Sequence, residues 1–177
     1  MAADDVEIYF DLGSPYAHLA VARAERDLGR PPVLRPVLLG AIFRARGFGS
    51  WSASAQRQQR IAELEARAER YGLPPFVWPQ GWPLDGLAAM RACIWTEAEG
   101  ALDHFAAAVF EHEFGRGEDV SAPPALAGIA TEIGKGSDVS NSCIGVLGRS
   151  CGPKAPTAHG GNGTSRAAKL PDPTNSR

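Results

Sequence analysis

The chain has 177 residues, a formal charge of −2 and 44% hydrophobic residues. That length suits one domain with room for an insertion and can bury a core of its own. The near-neutral balance lacks the basic stripe of a nucleic-acid-binding protein, and no run approaches the roughly 18 uncharged apolar residues of a membrane span. Met1 to Asp5 is acidic and has neither the basic nor the apolar part of a secretory leader. Three cysteines without a C-x-x-C pair give no disulfide framework. The expectation is a cytoplasmic protein with no membrane and no nucleic-acid partner.

Val6 to Phe10 is short, β-branched and aromatic, and reads as a buried strand. Asp11-Leu12-Gly13 reads as a turn, after which Ser14 is a helix N-cap and Pro15 the first helical residue, where its missing N–H costs nothing. The helix carries Leu19, Ala20, Ala24 and Leu28 and stops at Gly29. After Pro31-Pro32, Val33 to Leu39 reads as a second strand, giving a βαβ unit with a parallel pair. Ile61, Leu64, Ala68 and Tyr71 recur at helical spacing before Gly72 and Pro74. Pro74 to Pro83 is an aromatic loop; Trp78 and Trp82 in it read as loop packing or as a pocket wall. Helices follow from Asp85, from Leu102 to Gly115, and from Leu126 to Ile133. Cys93 lies among apolar helical residues and reads as an inert core thiol. His104 and His112, flanked by Glu111 and Glu113, are too far apart for one metal ion without a ligand between them, and position 108 is Ala. They read as a solvated face, and no metal is expected.

The composition breaks near residue 134. Residues 1–133 hold twelve Arg, no Lys and all 14 aromatic residues; residues 134–177 hold all three Lys, and 24 of those 44 positions are Gly, Pro, Ser, Thr or Asn. Such a segment buries too little apolar surface to offset its ordering entropy and is expected to be disordered. Gly160 to Gly163 follows no predicted strand and opens no helix, so it is no phosphate loop, and Cys143 and Cys151 match no metal-site spacing.

Tyr9-Phe10-Asp11-Leu12-Gly13-Ser14-Pro15-Tyr16-Ala17-His18-Leu19-Ala20 resembles the opening strand and Ser-Pro-Tyr turn of 2-hydroxychromene-2-carboxylate isomerases and kappa-class glutathione transferases, DsbA-like proteins of the thioredoxin fold. Arg35 to Phe43 resembles their second strand and its exit; Arg70 to Pro74 and Trp82 to Ala92 resemble their inserted helices. The resemblance implies an α/β, thioredoxin-like domain over 1–133 with an all-helical insertion at about 44–133. It implies glutathione as cofactor, a small aromatic substrate and a possible homodimer. Ser14 is then the catalytic residue that contacts the glutathione sulfur, with Pro15 and Asp85 also at the cofactor and Tyr16 and Phe43 lining the substrate pocket. Each has a plainer alternative: Ser14-Pro15 is ordinary capping, Tyr16 and Phe43 suit a core, and Asp85, where the family usually has Asn, suits a helix N-cap.

Family members continue into a Val-Pro-Thr turn with a cis proline, a β-hairpin and a final helix, and the resemblance ends near Gly134. The expectation is therefore a truncated family member with a foreign tail, from a lost frame or an early end, whose open sheet edge favours aggregation. Three readings follow: a glutathione-dependent isomerase of aromatic degradation products, a kappa-like glutathione transferase or DsbA-like oxidoreductase, and a non-catalytic fragment. The redox version is disfavoured because Ser14-Pro15-Tyr16-Ala17 has no cysteine.

Overall fold

The computed structural model describes residues 6–134, so the tail, Gly134 apart, lies outside the described residues. Strand β1 (Glu7–Phe10) is followed by α1 (Pro15–Leu28), β2 (Val33–Pro36) and α2 (Leu39–Arg46). A short 3-10 turn at Trp51–Ala53 precedes α3 (Arg57–Arg70). Then come α4 (Leu87–Ala98), α5 (Leu102–Phe110), a π turn at Glu111–Gly115, and α6 (Pro123–Gly134). The two strands pair in parallel, Ile8 opposite Leu34 and Phe10 opposite Pro36. This is the thioredoxin-like βαβ start with a helical region that the sequence implies.

Local chemistry sets most boundaries. Ser14 is extended and its Oγ accepts the Ala17 N–H at 3.3 Å, while Gly29 closes α1 in the left-handed region at φ 69°. The expected N-cap at Asp85 falls one residue later, on Gly86; the Asp85 carboxylate still accepts the Leu87 N–H at 3.0 Å.

Two expectations are corrected. The second strand does not run to Leu39: Pro36 ends it, and Leu39 opens α2, whose first N–H donates to Asp11 Oδ2 at 2.6 Å. His112 and Glu113 do not lie on a solvated face; they are 6% and 1% exposed, although His104 and Glu111 are exposed. Glu113 lies four residues after Val109 and three after Phe110, so the buried face of α5 continues through the π turn to Glu113 and Phe114, with His112 beside them. His112 is satisfied there by Glu118 at 2.7 Å and Glu132 at 3.3 Å.

The main core joins Phe10, Leu12 and Leu34 of the sheet region to Cys93, Phe105, Val109, Phe114 and Leu126, so the sheet packs on the bundle of α4, α5 and α6. Leu19, Leu64 and Ala68 form a smaller cluster where α1 meets α3. Among the described residues no helix is long and apolar enough to cross a membrane.

Candidate active site

The turn from β1 into α1 places Ser14 where the first N–H groups of the helix point outward and no acidic side chain occupies the first turn. Ser14 Oγ accepts from Ala17 N, so its own hydroxyl proton is left for a ligand. A cleft of about 730 Å³ opens beside it, large enough for a tripeptide and within the range of small-molecule sites.

Ser14, Pro15, Tyr16, Phe43 and Asp85, the five residues singled out in the sequence, all line this one cleft. Pro15 is buried under the turn; Ser14, Tyr16 and Phe43 are half-buried, and Asp85 is exposed at the rim. The residues that open α1, α2 and α4 (Pro15, Leu39 and Leu87) line it as well, so three helix N-termini meet at the cavity. Amides not used by Asp11 or Asp85 remain there to bind anionic groups.

Sequence reasoning missed Asp11, Arg44 and the Ser50-Trp51-Ser52 segment, all of which line the cleft. Trp51 meets the Tyr16 ring edge-on at 6.0 Å and tilts against Trp82 at 5.4 Å. Trp82 serves both readings given to it, being 5% exposed in the core and lining the cleft. An aromatic residue between serines, just after Gly47 and Gly49, was the available signal for Trp51, but without periodicity nothing assigned it a side.

Three titratable groups are displaced by burial near this region. His18, one turn beyond Ser14, packs against Phe76, Phe110 and Phe114, and burial lowers its pKa to about 4, so the ring stays neutral. Glu113 is pushed up to about 8 by burial first and then by the charges of Asp11 and Asp119. Burial, with Asp11 and Glu97, raises the Cys93 thiol to about 12. Cys93 is thus no nucleophile: peptide mapping after alkylation of the native protein at pH 8 should recover it unmodified, and its full labelling without denaturant would contradict this burial. Among the described residues no group of three His, Cys, Asp or Glu is placed to hold a metal.

A parallel βαβ start, a helical region packed over it and a serine-capped turn that opens α1 define a thioredoxin-like protein of the DsbA type. The DSBA-like thioredoxin domain matches residues 5–141, and the chain belongs to that family. A solved structure of 2-hydroxychromene-2-carboxylate isomerase is similar, with a TM-score of 0.64 and 21% identity over 81% of this chain and 70% of that one. No curated protein matches the chain.

Proposed function

We propose that the chain is a glutathione-dependent isomerase of the 2-hydroxychromene-2-carboxylate type, acting on a small aromatic substrate. The observation that carries this reading is a serine hydroxyl with a free proton, set at a helix N-terminus inside an aromatic-lined cleft. The similar solved structure bears an isomerase's name and supports the same choice.

Glutathione, when bound, would supply a thiolate whose reversible addition to an electron-poor double bond permits rotation about that bond without consuming the thiol. The residues present fit that cofactor. Ser14 would donate a hydrogen bond from its hydroxyl to the sulfur, and the α1 N-terminus would favour negative charge there. Free amides at the starts of α2 and α4 suit the two carboxylates, and the outer oxygen of Asp85 suits the ammonium group. Tyr16, Phe43 and Trp51 exclude water and give a flat ring a surface to lie against. Disulfide exchange has no support among the described residues: the turn has no cysteine, and the Cys93 thiol is buried.

Titration calorimetry with glutathione, followed by turnover of a hydroxychromene carboxylate, tests the reading. Binding below a few millimolar with isomerisation is the expected result. No binding at about 10 mM would overturn it, since that is about tenfold above the usual upper range of KM. Faster conjugation of a halodinitrobenzene, with no isomerisation, would make the chain a kappa-like transferase instead.

A further inference from the structure

Asp11 directly follows β1, and its carboxylate reaches three segments. Oδ1 accepts the Gly13 N–H at 2.9 Å, which shapes the turn into Ser14. Oδ2 accepts the Leu39 N–H at 2.6 Å, the first amide of α2. Oδ1 also lies 3.8 Å from where a side chain would begin on Gly86, the N-cap residue of α4. The carboxylate thus sits where the three helix starts converge.

Helix α2 has little else to hold it. None of its residues is buried, and none joins either hydrophobic cluster. Its N-cap is Leu38, which has no side-chain oxygen, and Gly40 in its first turn weakens it further. Among the described residues, the bond from Leu39 to Asp11 is the only hydrogen bond between α2 and another element. Yet α2 carries Phe43 and Arg44, which form the wall of the cleft beyond Ser14.

We propose that Asp11 is a positioning residue: its carboxylate supplies the missing cap of α2 and holds that wall of the cleft in register with the Ser14 turn. The kinetic consequence rests on the glutathione reading above; the structural one does not. In Asp11→Asn the remaining oxygen still serves Gly13, while the amide group sets N–H against the Leu39 N–H. Leu39→Pro breaks the same bond from the other side, at a first helical position that tolerates proline and after a residue already extended.

The test is hydrogen exchange of the α1 and α2 amides in the wild type, both single variants and the double variant, with steady-state kinetics alongside. Each single variant should speed exchange over 42–46 by about tenfold while α1 is unchanged, and the double variant should be no faster than either. The electrophile's KM should rise about tenfold, more than kcat falls, and glutathione affinity should weaken with the loosened start of α2. Unchanged exchange in α2, additive effects in the double variant, or equal acceleration of α1 and α2 would each overturn the proposal. A fall in k_cat alone would overturn its kinetic part. If the wild-type chain fails to bind glutathione, the functional reading falls, while the exchange data still decide the role of Asp11.

Discussion

Replacing Ser14 with Ala should lower glutathione-dependent turnover at pH 7 by about 100-fold, within the range for removing one preorganised donor from a developing anion. A free thiol has a pKa of about 8.5, and donation from Ser14 with the α1 N-terminus would bring it to about 6.5. On those figures the ionised fraction at pH 7 falls from roughly three quarters toward about 3%, the value for a fully lost shift. The α1 N-terminus kept in the variant holds part of the shift, and loosened placement of the sulfur accounts for the rest of the expected loss. The sign of the pH effect follows. Wild-type kcat/KM should level off above about pH 6.5, whereas the variant's should keep rising at higher pH, toward about 8.5, and close much of the gap. Thiolate absorbance of bound glutathione should report the same displacement directly. The variant also loses the cap bond to Ala17, worth about 1 kcal/mol, so a modest fall in melting temperature accompanies the kinetic change without explaining it. Superimposable pH profiles would take Ser14 out of the chemistry and leave it a capping residue.

Elements specified by their own residues were legible in the sequence. Ser14, Pro15 and Gly29 bound α1 by cap chemistry, and Gly72 and Gly115 mark the ends of the helical runs before them. What the sequence hid was set from a distance. Helix α2 is capped by Asp11, 28 residues upstream, so the run from Val37 to Leu39 read as strand when only tertiary structure could show otherwise. The inward place of Glu113 continues the α5 stripe four residues after Val109, but a run of His and Glu reads as solvent-facing by its charge, and only tertiary packing shows it buried. The same division runs through the site. Ser14, Pro15, Tyr16, Phe43 and Asp85 could be named because a resemblance ties them to a linear motif. Asp11 could be seen as a turn former through its local bond to Gly13, but its reach to α2 could not.

Glu113 makes the second large prediction: stability should fall as pH rises from about 4.5 to about 8. Its side chain is 1% exposed, Oε1 has no hydrogen-bond partner, and its pKa stands at about 8 against an ordinary 4.5. Between those values the folded chain keeps a proton that the unfolded chain has released, so each rise in pH favours unfolding. At about 1.4 kcal/mol per unit, the loss across the window approaches 4–5 kcal/mol as an upper figure. Below pH 4.5 both states are protonated, and the penalty is absent. Glu113→Gln removes the titration but carries an amide into the same apolar site, at a cost of about 1–3 kcal/mol at every pH. The two stability curves should therefore cross: wild type the more stable near pH 5, the variant the more stable near pH 9. Denaturant unfolding at five or six pH values measures this, and parallel curves would mean that Glu113 is hydrated or paired in solution. Because the charge of Asp11 is one of the forces holding Glu113 neutral, Asp11→Asn should also lower the pH at which Glu113 ionises. The acid that braces α2 would then also keep a second negative charge from forming behind the Ser14 turn.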